Sequence, residues 1–352
     1  TEQRRRMTFT LRLTTDLNDR LVAMATSPVE TGAVLIASLI PTGNDRSILL
    51  GLDLLEVPDD AYEVRTDQSL QVTSDGYVHA LKTAATRGAM AIWVHSHPGN
   101  HAIPRPSRHD VKVNEQLEQL FGDRTVSGQY GYLVVSHRDG AITFTGAVTG
   151  PIRGSIDRLS VVGDRWSFRS AFNAPESENL ELFDRNIRAF GTGIQSAISQ
   201  LTVGVVGAGG TGSATAEQLV RLGVRSFILI DPDTLSDSNV TRVYGSSPVD
   251  VGRAKVDVLG DHLERIAAGV RTQRIQGSIV SEQAARALIA ADVVFGCTDD
   301  NAGRLRLSRL PYYYLTPVID CGIQIHADAV GVISGIFGRV TTLHHGAACL
   351  IC

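Results

Sequence analysis

Val203-Gly-Val-Val-Gly207-Ala-Gly209-Gly210-Thr-Gly212 runs an apolar, β-favouring segment straight into a glycine-rich turn. Ser213 to Leu222 then reads as a helix, with Ala214, Leu219 and Leu222 on one apolar stripe. Strand, turn and helix in that order make a phosphate cradle: glycines let the backbone approach an anion, and the helix start offers free N–H groups. A second apolar run, Phe227-Ile-Leu-Ile230, ends at Asp231, placed to accept a ribose hydroxyl. Gly207, Gly209, Gly210, Gly212 and Asp231 are therefore nucleotide-binding candidates on a doubly wound α/β sheet. This much suits NAD as well as any other nucleotide.

The residues further on choose among nucleotides. Ser238-Asn239-Val-Thr-Arg242 is followed by Gly252-Arg-Ala-Lys255, and the apolar run Val293-Val-Phe295 leads to Cys297-Thr-Asp299-Asp300-Asn-Ala-Gly-Arg304. A dehydrogenase has no use for a convergent Arg, Lys and Asp, whereas ATP chemistry does. Cations neutralise a triphosphate, and a carboxylate holds magnesium. The pattern resembles the ThiF/MoeB and ubiquitin-activating adenylyltransferase family, whose members join the C-terminal carboxylate of a ubiquitin-like protein to the α-phosphate of ATP. The resemblance implies that Asp231 takes the ribose, that Asn239, Arg242 and Lys255 contact the phosphates, and that Asp299 binds magnesium. Asp184-Arg185-Asn186-Ile187-Arg188 resembles the family's first helix, whose arginine, here Arg185, reaches into a partner subunit; a homodimer is implied. Val243 stands where the family has Gln, and Asp300 where Asn is common.

The other half carries a second signature. Residues 95–110 read His95-Ser-His97-Pro-Gly-Asn-His101-Ala-Ile-Pro-Arg-Pro-Ser107-Arg-His109-Asp110. Ile92 to Val94 favour a strand, so His95 and His97 share one face with Ser96 opposite. Two imidazoles and a carboxylate suit a zinc ion that keeps a fourth position open for water. Ser107 before Val111, Val113 and Leu117 is equally a helix N-cap, and both readings hold together. The run resembles the JAMM (MPN/JAB) metalloproteases, which cleave peptide or isopeptide bonds after ubiquitin-like C-termini. That resemblance implies that His95, His97 and Asp110 bind zinc, that Glu30 is the general base, and that Ser107 steadies the oxyanion. The loop from His97 to Ser107 is longer than the family's usual spacing, and His101 and His109 beside it are alternative ligands or solvated side chains.

Composition bounds these readings. The 352 residues accommodate two ordinary domains, 43% hydrophobic and 20% charged. A net charge of −4 argues against nucleic acid as a partner. No run approaches the roughly 18–20 apolar residues of a membrane span, and Thr1 to Arg6 lack a signal-peptide core. The four cysteines are sparse for a secreted chain, so a cytoplasmic location is expected. Cys349 and Cys352 form half of a structural zinc knuckle; the resemblance places a second pair later, so the domain is expected to be incomplete here. Cys297 and Cys321 read as core or site-lining residues on strands.

The expected organisation is a JAMM-type mixed α/β domain over 1–170 with its metal at the sheet edge, a linker over 171–180, and a Rossmann-like adenylation domain over 181–352. Strands are expected at Phe9–Leu13, Val34–Ile40 and Ile48–Leu55, helices at Asp16–Ala25 and Tyr77–Thr86, and a hairpin from Tyr130–Ser136 to Ala141–Thr145. Residues 151–175 read as a strand pair or a connector. Together the resemblances imply a bifunctional enzyme using zinc, ATP and magnesium. It would trim or deconjugate a ubiquitin-like protein ending in glycine and adenylate its carboxylate, with a conjugating enzyme or a sulfur donor as the further partner. A first domain that only binds the ubiquitin-like protein, and an NAD oxidoreductase, are the other readings.

Overall fold

In the computed structural model, residues 7–43, 45–125, 127–171 and 181–347 are described. The chain divides into two compact units, Thr1–Asn173 and Ala174–Cys352. None of the described helices is long and apolar enough to cross a membrane.

The first unit opens with β1 (Met7–Thr14), α1 (Thr15–Ala25), β2 (Gly32–Pro41), β3 (Arg46–Glu56), β4 (Tyr62–Arg65) and β5 (Leu70–Val72). It continues with α2 (Asp75–Thr86), β6 (Met90–Ser96), α3 (Arg108–Arg124), β7 (Tyr130–Arg138), β8 (Ala141–Thr149), β9 (Gly154–Val162) and β10 (Ser167–Ser170). Eight strands form one mixed sheet in the order β1-β3-β2-β6-β7-β8-β9-β10, and an added β1–β9 pairing closes it into a ring with β10 outside. Residues 154–170 are thus a strand pair, and β9 completes the ring.

Alternation along β6 sorts its side chains. Met90, Ile92 and Val94 join Phe9, Leu35 and Phe144 in one core with Leu17 and Leu21 of α1. Ala91 and Trp93 face the other way, against Ala84 of α2 and Phe121 of α3. Both faces of β6 are therefore covered, which is why it reads as a continuous apolar run. β6 pairs with β2 on one side and β7 on the other. This corrects the expected position at the sheet edge: the histidines sit at the C-terminal end of an interior strand.

The second unit contains α4 (Asp184–Phe190), α5 (Thr192–Gln200), β11 (Thr202–Val206), α6 (Gly210–Leu222), β12 (Ser226–Asp231) and α7 (Asp237–Val240). Then come α8 (Lys255–Ile266), β13 (Arg271–Gln276), α9 (Glu282–Ala287), β14 (Val293–Gly296), α10 (Asn301–Leu307), α11 (Leu310–Tyr314), β15 (Val318–Ala327) and β16 (Ile333–Leu343). The sheet order is β13-β12-β11-β14-β15-β16, parallel except for β15–β16. Strand order reverses between β11 and β14, and ligands of such sheets bind outside the strand ends at that point.

α6 starts at Gly210, earlier than the sequence suggested, and its buried face is Gly212, Ser213, Ala216, Glu217 and Val220. The expected stripe of Ala214, Leu219 and Leu222 is corrected: the i, i+4 repeat that faces inward runs through Gly212, Ala216 and Val220, which leaves Leu222 exposed.

Candidate functional sites

In the first unit, Glu30 lies just before β2, and His95 pairs in register with Gly32 of that strand. His95 and His97 point to the α3 side. Ser96 points opposite, where its hydroxyl accepts the Thr31 N–H at 3.0 Å. α3 delivers the carboxylate. Ser107 caps it, its Oγ accepting the Asp110 N–H at 3.1 Å while Asp110 Oδ2 accepts the Ser107 N–H at 2.6 Å. This reciprocal box fixes the first turn and leaves Asp110 aimed at the histidines.

The donor atoms converge. His95 Nε2 and His97 Nε2 are 3.2 Å apart, Asp110 Oδ1 lies 3.5 Å from the first and Asp110 Oδ2 3.3 Å from the second, and one donor atom from each residue falls within 4.8 Å of the others. Tetrahedral zinc with bonds near 2.0–2.1 Å separates its ligands by about 3.3 Å, so this triangle fits that ion. Glu30 Oε1 stands 3.9 Å from His97 Nε2, beyond the triangle. His95 Nδ1 is buried without a hydrogen-bond partner, so this imidazole is oriented by packing rather than by an acceptor.

Burial pushes the Glu30 carboxyl up, against the pull of both histidines. For Asp110 burial acts the same way, but the contacts from His95 and His97 and the Ser107 N–H win, holding it well below the usual carboxylate range. A cleft of about 240 Å³ is lined by Glu30, His97, Ser107, Asp110 and the two exposed histidines, His101 and His109. His101 Nε2 contacts the Pro98 carbonyl at 3.1 Å, outside the donor triangle. The β4–β5 connection adds Asp67 to Ser69 to the same cleft.

In the second unit, Gly207 has φ +95°, which favours glycine, and a Cβ on Gly212 would overlap the Gly207 carbonyl oxygen. The glycines therefore allow the turn and the helix to close on each other. Asp231, at the end of β12, is buried and accepts N–H groups from Ala208 at 2.6 Å and Asp233 at 2.8 Å. Burial raises its pKa despite those bonds. Each carboxylate oxygen keeps acceptor capacity for a hydroxyl.

Arg242 lies against Gly210 and donates to the Ser238 carbonyl at 2.9 Å. Asn239 is buried on α7. Lys255, nearly buried at the start of α8, pairs with Asp233 at 2.7 Å. Asp299 is exposed in the β14–α10 loop. Asp300 beside it caps α10, accepting from the Ala302 and Gly303 N–H groups. Arg185 is exposed on α4. Cys297 falls just past β14, and Cys321 within β15. The neighbouring Cys297 thiol holds the Cys321 thiol below its ordinary pKa. Cys349, Cys352 and most of the expected linker lie outside the described residues.

Three residues with notable contacts drew no role from the sequence. Asp233, two residues past Asp231, drew no role of its own, although a second acid there signals a lysine partner. Ser213, whose Oγ accepts the Tyr244 N–H at 3.0 Å, ties α6 to the segment after Arg242 and carries no local signal. Asp320 stands alone as a charge in the apolar run Val318-Ile-Asp-Cys, and that isolation was the signal.

Residues 183–352 match the ThiF family. Molybdopterin-synthase adenylyltransferase of Escherichia coli (strain K12) is 29% identical over 168 residues, covering 47% of this chain and 64% of the relative. Adenylyltransferase and sulfurtransferase MOCS3-1 of Zea mays is 28% identical over 165 residues, 46% of this chain and 33% of the relative. Sulfur carrier protein ThiS adenylyltransferase of Escherichia coli (strain K12) is 30% identical over 127 residues, 36% of this chain and 48% of the relative. The chain thus spans less than two thirds of the length of each.

Proposed function

We propose that the second unit activates the C-terminal carboxylate of a ubiquitin-like protein with ATP, and that the first is a JAMM-type zinc hydrolase acting on the same class of substrate. The adenylation reading is carried by the ThiF-family match over 183–352, and supported by Asp231 at the end of β12, Lys255 paired to Asp233 two residues on, and Arg242 against Gly210 at the start of α6. Asp231 accepts the ribose hydroxyl. One carboxylate oxygen of the acceptor attacks the α-phosphorus, and the bond to the β-phosphate oxygen breaks as pyrophosphate leaves with the electron pair. Arg242 and Lys255 offset the charge on the phosphates; with one donor on Asp233, the Lys255 ammonium keeps two for phosphate oxygens. Asp299 holds the magnesium that accompanies ATP. Arg185 completes the site of a second copy in a homodimer.

The hydrolase reading rests on the donor triangle of His95, His97 and Asp110 with Glu30 beside it. Zinc, when bound there, polarises the scissile carbonyl and lowers the pKa of its water to about 7. Glu30 takes a proton from the attacking water as its oxygen bonds to the scissile carbonyl carbon, and hands that proton to the amine nitrogen as the C–N bond breaks, a task suited to a carboxyl whose pKa burial has raised. Ser107 accepts from Asp110 through a lone pair, so its hydroxyl proton stays available for the oxyanion.

For the destination of the adenylate, sulfur carriage is favoured over conjugation, because relatives are named for molybdopterin synthase and for the sulfur carrier protein ThiS. The test follows a glycine-ended ubiquitin-like protein with a short C-terminal extension by intact mass spectrometry, with zinc, ATP and magnesium present. Loss of the extension that needs Glu30, then a mass gain of one AMP that needs Asp299, is the expected course. Adenylation of a pre-trimmed protein without loss of the extension would reduce the first unit to a binding module.

A further inference from the structure

Asp320 has no part in the chemistry above, yet it is fully buried on β15, where an apolar residue would pack without desolvating a charge. Its Oδ1 faces Arg304 Nε at 3.5 Å, too long for a hydrogen bond, and its Oδ2 accepts from Arg339 at 3.1 Å. Arg304 is the more buried of the two guanidiniums, 23% exposed against 60%. It uses Nε to donate to the Thr298 carbonyl at 3.1 Å. Gly322 makes room, since a Cβ there would lie 3.1 Å from the Arg304 guanidinium.

The loop after β14 is tied down on both sides of one residue. Thr298 Oγ1 accepts the Asp300 N–H at 3.1 Å, Asp300 caps α10, and Arg304 holds the Thr298 carbonyl. Asp299, between them, is exposed and makes no hydrogen bond or ion pair among the described residues. A buried ion pair is a poor source of net stability, so holding a loop in one geometry is a better account of this one.

We propose that Asp320 is a positioning residue for Asp299: through Arg304 and the Thr298 carbonyl it sets the loop that presents Asp299 to the divalent cation carried with ATP. This rests on the adenylation reading and concerns only its metal-facing half.

Isothermal titration of ATP, once with excess magnesium and once with EDTA, tests it without any acceptor protein. Magnesium should tighten ATP binding to the wild type. In Asp320→Asn that gain shrinks about tenfold or more, the usual cost of losing support behind a metal ligand, while metal-free ATP binds within about twofold of wild type. Arg304→Lys, which lacks the Nε that faces Asp320 and donates to the Thr298 carbonyl, behaves alike and covers the case in which Asp320→Asn does not fold. Equal loss in both titrations would make Asp320 merely structural, and an unchanged magnesium gain in both folded variants would overturn the proposal. A wild type that binds no ATP in either titration would instead remove the adenylation reading beneath it.

Discussion

Glu30 and Asp110 differ in what surrounds them, and under the proposed hydrolase chemistry that difference divides their roles. Glu30 lacks the close imidazole contacts of Asp110, so burial governs it; Asp110 has two imidazoles and a backbone N–H, and remains a carboxylate. Glu30→Gln should keep zinc bound and lower cleavage by about 10²–10⁴-fold, the range of a lost general base, read by elemental analysis beside a cleavage assay. Asp110→Ala should lose zinc as well as activity. It also removes the acceptor for the Ser107 N–H, so the first unit should melt earlier than in Glu30→Gln. His95, His97, Ser107 and Asp110 fall within sixteen residues, so the sequence alone brought them together as candidates, whereas Glu30, far upstream, was suggested only by the family resemblance. The unpartnered Nδ1 of His95 was not legible, since it depends on what packs around the ring.

Elements reveal where local sequence stops being informative. β6 and the hairpin of β7 and β8 follow from runs of apolar and β-branched residues between turns. The closure of the ring by β9 on β1 does not, because that pairing joins residues more than a hundred positions apart and no local pattern encodes it. α6 shows the opposite error: glycines at Gly210 and Gly212 suggested a longer turn, whereas close packing on Gly207 makes them part of the helix. Gly212→Ala should therefore destabilise the second unit by roughly 1–3 kcal/mol or more, as overpacking does, in thermal or denaturant unfolding.

α6 and α8 are also clamped by Glu217, which meets His262 at 2.7 Å and Arg221 at 2.8 Å. Burial acts to raise the Glu217 pKa, but these two partners prevail and lower it from its ordinary 4.5. A depressed folded value means that the stabilisation is present above 4.5 and fades as pH falls below it. Melting of the second unit followed from about pH 7 down to about pH 3 should show that decline, and Glu217→Gln should flatten it.

At the level of the whole molecule, the proposed chemistries fall separately to two compact units. Removing zinc with a chelator should abolish cleavage and leave ATP binding in place, measured on the same preparation; joint loss would tie the nucleotide site to the metal. Adenylation of a carboxylate by the second unit is read in isolation by ATP–pyrophosphate exchange. Exchange should require a ubiquitin-like protein ending in glycine, stop when that C-terminus is amidated, and vanish in Asp299→Ala. Exchange that persists without the acceptor or without Asp299, or a protein that binds ATP yet supports none with the sulfur carrier protein ThiS or any other glycine-ended acceptor, would contradict it.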